Sequence, residues 1–153
     1  ALTAYNKVSD SVSVNLSITY NNIGEIYQYN GNSGEAVQWY NKALNIQENF
    51  LAPLSPVLAI TYNNVGVVAC ENGNYDEALQ WLNEALMIQE KVLDSESTDL
   101  ATTYNNIGVA NYFKGNQNDA LNWLNKALEI YVKVSGEESP QAKITKEWLS
   151  GLE

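Results

Sequence analysis

The string Tyr20-Asn21-Asn22-Ile23-Gly24 returns as Tyr62-Asn63-Asn64-Val65-Gly66 and again as Tyr104-Asn105-Asn106-Ile107-Gly108, 42 residues apart each time. Other positions keep that register without insertion: Gly31, Gly73 and Gly115; Ala36, Ala78 and Ala120; Trp39, Trp81 and Trp123; Ala43, Ala85 and Ala127. Leu44, Leu86 and Leu128 follow the same interval, as do Ile46, Ile88 and Ile130. A period of this length restricts the chain to a stacked array, because no single unit can bury its own apolar face and each must be covered by the next.

Each unit reads as two helices. Ser13, Ser55, Ser97 and Ser139 share one register, and Pro56 and Pro140 follow two of them. Serine at the N-cap with proline in the first turn is a helix start. The first helix is expected to run from there to about Asn30, Asn72 and Lys114, where Gly31, Gly73 or Gly115 can take the left-handed conformation that ends it. The second helix is expected over roughly 34–51, 76–93 and 118–134, where Ala36, Trp39, Tyr40, Ala43, Leu44, Ile46 and Phe50 show the helical spacing in the first unit.

These residues resemble the tetratricopeptide repeat. The family's small first-helix residue falls on Gly24, Gly66 and Gly108, and its second-helix alanines on Ala36, Ala78, Ala120 and on Ala43, Ala85, Ala127. Glycine and alanine suit places where two helix backbones approach closely. The family's usual period is about 34 residues. The excess here lies between Ala43 and Pro56 and their equivalents, enough to lengthen the second helix by about two turns. The longer unit, with its Tyr-Asn-Asn-Ile-Gly string, looks like the kinesin-light-chain type. The resemblance implies an all-α, right-handed superhelical solenoid of antiparallel helix pairs. The expected division is a half repeat over 1–16, repeats over 17–58, 59–100 and 101–142, and a capping helix from about 140 to 152.

The two ends depart from the pattern. Ala1-Leu2 aligns with Ala43-Leu44, which places the first residues in the latter half of a second helix and leaves Ala1, Leu2, Tyr5 and Val8 needing cover. Such an open end is a natural surface for homo-oligomerisation. Lys146-Glu147-Trp148-Leu149-Ser150 stands where the Tyr-Asn-Asn-Ile-Gly string would recur, and a divergent, partly polar last helix suits a solenoid cap.

In this family the first helices line a concave groove, so the resemblance implies the groove positions. They are Ile18, Asn21, Asn22, Glu25, Gln28 and Tyr29 in the first unit. Ile60, Asn63, Asn64, Val67, Cys70 and Glu71 follow in the second, and Thr102, Asn105, Asn106, Val109, Tyr112 and Phe113 in the third. An asparagine amide is donor and acceptor at once and matches the backbone of an extended peptide. Asn22, Asn64 and Asn106 are read as partner-binding; for Asn21, Asn63 and Asn105, partner binding and bridging between helices both stay open. Glu25, Val67 and Val109 are further candidate contacts, with Tyr29 and Tyr112 as aromatic anchors. Phe113 is read instead as packing against the next helix.

Charge narrows the partner. The chain carries a net −10, with all eight cations lysine, no histidine, and no lysine at any groove position. Nucleic acid and anionic membranes are disfavoured, because no basic face can form. An acidic peptide or a clamped C-terminal carboxylate is disfavoured for the same reason. A neutral or basic peptide with apolar anchors is the expected partner, drawn in by the acidic field. Without histidine there is no Ser-His-Asp arrangement and no imidazole metal site. The glycines are isolated helix stops and cradle no phosphate. Cys70, the only cysteine, has no cationic neighbour in sequence and is read as an inert buried thiol. No catalytic residue, cofactor or metal is therefore expected. The lone thiol and the lack of a signal segment fit a cytoplasmic setting. The functional expectation is a peptide-binding scaffold; the alternatives are self-assembly through the open end, or the sensor arm of a larger regulatory protein.

Overall fold

Proline and glycine mark several of the helix boundaries. The computed structural model describes residues 2–153, apart from the side chains of Leu2, Tyr5 and Asn6. The helices are α1 (Leu2–Tyr29), α2 (Ser33–Phe50), α3 (Pro56–Glu71), α4 (Tyr75–Val92), α5 (Thr98–Lys114), α6 (Gln117–Ser135) and α7 (Pro140–Ser150), with no strand among the described residues. The excess of the long repeat is shared: the chain is helical to Phe50 and then turns through 51–55 before α3. The tight turns within each pair have positive φ at Gly31 (78°), Gly73 (79°) and Gly115 (90°). No helix among the described residues is long and apolar enough to cross a membrane.

Ser55, Ser97 and Ser139 precede helix starts in extended conformation, but only Ser139 caps with its side chain, accepting from the Ala142 N–H at 3.4 Å. Ser13 starts nothing. The helix runs through it, and its hydroxyl donates to the Ser9 carbonyl at 3.0 Å. The equivalent connections carry a device that stops a helix: Pro53, or Gly136 at φ 88°, or Asp94 accepting from the Glu96 N–H at 2.9 Å. The stretch Ser9-Asp10-Ser11-Val12-Ser13 has no Pro or Gly, so the expected half repeat and the following first helix form one continuous α1. Of the residues read as an uncovered end, Val8 is exposed, while Ala1 and the side chains of Leu2 and Tyr5 lie outside the described residues.

α1 packs on α2, α3 on α4 and α5 on α6, and each pair is joined to the next through α2–α3, α4–α5 and α6–α7. Fully buried alanines at 36, 78, 120 and at 43, 85, 127 let the paired helices approach. The approach is closest at the first-helix glycines. A Cβ on Gly24 would sit 2.5 Å from Tyr40 Cε1, and one on Gly66 or Gly108 would sit 2.7 Å from Cγ of Leu82 or Leu124. Tyr40, Leu82 and Leu124 occupy one register of the second helices and are fully buried. The tryptophans form a ladder within the units: Tyr20–Trp39, Tyr62–Trp81 and Tyr104–Trp123 have ring centroids 5.3–5.4 Å apart. α1 also meets α3, and α3 meets α5, which sets the first helices side by side along one face.

Candidate functional site

The side-by-side first helices are stitched by the repeated asparagines. Asn64 on α3 donates to Asn21 Oδ1 at 3.3 Å and to Glu25 Oε1 at 2.8 Å, both on α1. One unit on, Asn106 on α5 donates to Asn63 Oδ1 at 3.2 Å, and Thr103 donates to the same oxygen at 3.3 Å. Asn105 in turn accepts from Thr145 of α7 at 2.9 Å. Asn21, Asn63 and Asn105 therefore act as bridges between helices, and so do Asn64 and Asn106, whereas Asn22 stands exposed.

Carboxylates line the same seam. Glu25 also accepts from Asn21 at 3.1 Å, and Glu71 accepts from Gln28 Nε2 at 2.9 Å. Tyr40 reaches up from α2 to donate to Gln28 Oε1 at 2.7 Å. Its phenol is pushed far above the ordinary tyrosine range, by burial first and then by Glu25 and Glu71. Glu25 on α1 and Glu71 on α3 thus bring two carboxylates to the α1–α3 seam.

Two hollows open beside these bridges. The larger, about 430 Å³, lies between α3 and α5, with α7 contributing Trp148 to its wall. Val67, Cys70, Glu71, Asn106, Val109 and Phe113 line it from the first helices, Trp148 from α7 and Tyr75 from α4. Its aromatic wall is itself packed: Phe113 stacks on Tyr75 at 6.0 Å between centroids and meets Trp148 edge-on at 5.6 Å. The Cys70 thiol is raised above its ordinary pKa by burial and by Glu71, so it contributes a protonated apolar surface. The smaller hollow, about 300 Å³, lies between α1 and α3 over α2, lined by Ile18, Asn21, Asn22, Glu25, Val57, Ile60, Thr61 and Gln47.

Of the sequence candidates, Val67, Asn106 and Val109 come together in the larger hollow and Asn21, Asn22 and Glu25 in the smaller. Asn63, Asn64, Asn105, Tyr29 and Tyr112 line neither. Tyr29 projects into solvent, 93% exposed. Tyr112 packs edge-on against Trp148 at 5.3 Å and fixes α7 in place.

A family model described as tetratricopeptide repeat matches residues 57–133, and a second, of the same description, matches residues 17–50. The chain belongs to the tetratricopeptide repeat family. Similar solved structures include the kinesin-light-chain TPR-like repeats of Podosopora anserina, with a TM-score of 0.82 and 23% identity over 92% of this chain and 66% of that one. BtubC (BKLC) from P. vanneervenii matches with a TM-score of 0.73 and 22% identity over 95% of this chain and 63% of that one. The first TPR of Spaghetti (RPAP3), bound to the HSP90 peptide SRMEEVD, matches with a TM-score of 0.62 and 15% identity over 89% and 92%. At these identities the likeness bears on the fold, an all-α superhelical array. The chain thus spans just under two thirds of the first two of these structures. A search of curated proteins gives no match.

Seen as a tetratricopeptide array, the chain has three site features outside the family's groove pattern or set aside within it. Trp148 belongs to the divergent last helix, where no repeat position marks it. Phe113 serves both readings at once, packing against α7 and walling the larger hollow while 49% exposed. Gln47 lies on the second helix; its only sequence signal was a polar residue on an apolar stripe, in register with Gln89 and Tyr131.

Proposed function

We propose that the chain is a protein-interaction module that holds an extended peptide along the first helices, with an apolar side chain of the peptide seated in the larger hollow. The observation that carries this reading is that hollow itself. It is preformed, mostly apolar, walled by Phe113 and Trp148, and carries one amide of the asparagine seam, that of Asn106, in its lining. Buried aromatic-lined pockets supply most of the affinity in peptide recognition, while surrounding amides set register. Glu25 and Glu71 favour a neutral or basic peptide. The HSP90 peptide in the Spaghetti structure carries three acidic residues, the opposite of what this groove attracts. The reading is of binding without catalysis, in keeping with the absence of histidine and a thiol held protonated.

The test is selection from a random peptide library, with affinities measured by fluorescence anisotropy on the wild type and on Val67→Lys and Val109→Lys. Both valines are half-buried on the groove face, so a lysine stem can reach solvent and the fold is expected to survive. Selected peptides should bind the variants at least about tenfold more weakly, since the cation removes an apolar seat. Equal binding to all three proteins would place the peptide elsewhere.

A second reading is supported by one separate observation. Val8, Val12 and Leu16 form an apolar stripe on α1 at four-residue spacing, 64%, 61% and 43% exposed. Such a stripe suits self-association. Sedimentation over a range of concentrations should then show dimers that Val12→Asp abolishes, and a monomer throughout leaves the groove reading alone.

A further inference from the structure

Gln47 is fully buried in α2, and neither its Nε2 nor its Oε1 has a hydrogen-bond partner. A buried donor and acceptor left unmade are costly, and each such group calls for a ligand, a water or a strain that explains it. Gln47 lies at the floor of the smaller hollow. Ile18 on α1 and Val57 and Ile60 on α3 form apolar walls above it, with Asn22 and Glu25 also in the lining. Ile18 and Ile60 are 38% and 41% exposed, so the walls of this hollow reach the groove surface. Of the polar neighbours, Thr61 donates to the Val57 carbonyl at 3.4 Å, Glu25 accepts from Asn21 and Asn64, and Asn22 stands exposed to solvent.

The third unit shows the same register satisfied from within. Tyr131 stands where Gln47 stands in the first unit, Thr102 stands where Ile18 stands, and their hydroxyls bond at 2.9 Å. In the second unit Gln89 takes the register opposite Ile60, and its buried Oε1 again has no partner. A hydroxyl on the groove face thus goes with a closed site, and isoleucine goes with an orphaned amide.

We propose that the hollow over Gln47 receives a primary carboxamide, the side chain of an Asn or Gln in the bound peptide. This rests on the groove reading and adds the chemistry of one ligand position. A primary carboxamide carries donor and acceptor side by side and meets both free atoms of Gln47. A carboxylate offers no donor and is repelled by Glu25, an ammonium satisfies only Oε1, and an alkyl chain satisfies neither. A trans backbone amide points its N–H and C=O in opposite directions and cannot pair with both. Ile18, Val57 and Ile60 take the methylene stem.

The experiment is an NMR titration of the whole chain, labelled with nitrogen-15 and with the Gln47 side-chain amide assigned through bonds. The probe is N-acetylglutamine N-methylamide, with the methionine analogue as control. The glutamine compound should shift the Gln47 side-chain signals saturably and bind at least about tenfold more tightly than the methionine compound, the difference two amide hydrogen bonds would make. No shift at Gln47, an equal response to methionine, or a bound water still giving cross-peaks to the Gln47 amide at saturation would overturn the proposal. A second arm uses library peptides whose binding is lost in Val109→Lys. These should be enriched in Asn or Gln at one position and weaken about tenfold on Gln47→Met. Peptides that depend on Val109 and ignore Gln47 sink this inference and leave the groove reading standing. Peptides indifferent to Val109 sink the groove reading itself, and with it the carboxamide position that rests on it.

Discussion

Asn63 Oδ1 on α3 accepts from Asn106 Nδ2 on α5 at 3.2 Å, and the same oxygen takes the Thr103 hydroxyl at 3.3 Å. A single side-chain carbonyl therefore joins two units. Thr103 is fully buried and keeps only a bond to its own helix, to the Asp99 carbonyl at 3.4 Å, once Asn63 is gone. Asn63→Ala is expected to cost about 1–3 kcal/mol, because it leaves partly buried donors unmade rather than merely deleting one contact. Asn22→Ala, at an exposed position of the same string, should fall within about 0.5 kcal/mol of wild type. Urea unfolding of the two variants checks this. Similar small losses would mean that the amide bridges contribute little net stability.

Gly66 makes the opposite kind of demand, for the absence of an atom. A Cβ there would lie 2.7 Å from Leu82 Cγ and 3.1 Å from the Ala78 carbonyl oxygen, so Leu82 must move or α3 and α4 must part. Overpacking costs about 1–3 kcal/mol, while alanine's better helix propensity returns about 1 kcal/mol at most. Gly66→Ala should therefore destabilise by up to about 2 kcal/mol. Gly34→Ala in the first turn of α2, with nothing within 4 Å, should stabilise by about 0.5 kcal/mol or less. Thermal melts of the pair decide it, and the same sign in both would show that propensity rather than packing governs Gly66.

The period made the array legible because every repeated residue answers a repeated need. Gly24, Gly66 and Gly108 mark the tightest helix contacts, and Gly31, Gly73 and Gly115 the turns, just where the register puts them. What the period could not supply was anything belonging to one unit alone. Ser13 carries the same start signal as Ser55, but a capping residue ends no helix unless something before it breaks the ladder, and 9–13 has no breaker. Trp148 walls a hollow from a helix outside the repeat. Gln47 repeats as Gln89, yet its orphaned state depends on the facing Ile18 and Ile60, a relationship between helices rather than a motif.

One unit breaks a pattern of cations over rings. Lys42 Nζ lies 4.1 Å from the Trp39 ring centroid, and Lys126 Nζ lies 4.5 Å from that of Trp123. The second unit has Glu84 at this register, exposed and close enough to raise the Tyr62 phenol further. Glu84→Lys should place an ammonium over Trp81 and Tyr62, worth about 0.5–1 kcal/mol at an exposed site. It also changes the net charge from −10 to −8, easing self-repulsion in an acidic chain. A higher Tm together with a lower Tyr62 pKa is expected. A gain in Tm with no change at Tyr62 would assign the effect to net charge instead.

Alkaline pH should loosen the array by way of its tyrosines. Tyr62 donates to Glu48 at 3.2 Å, and burial, with Glu48 next, pushes its phenol up to about 12 from 10.0. Burial raises Tyr104 and Tyr131 as well, Tyr104 with help from the carboxylate of Glu90. Below about pH 10 these phenols are protonated in both the folded and the unfolded chain, and their contribution to stability is complete. As pH rises further, the unfolded chain releases its protons first. The folded state then holds more protons, and stability falls with increasing pH until the folded pKa is passed. Tm should be level through neutral pH and decline from about pH 10 upward. Tyr62→Phe should lose some stability at pH 7, where the bond to Glu48 is intact, and show a shallower decline between 10 and about 12. If the decline keeps its full slope in Tyr62→Phe, Tyr62 titrates alike in both states and the alkaline sensitivity belongs to Tyr40, Tyr104 and Tyr131.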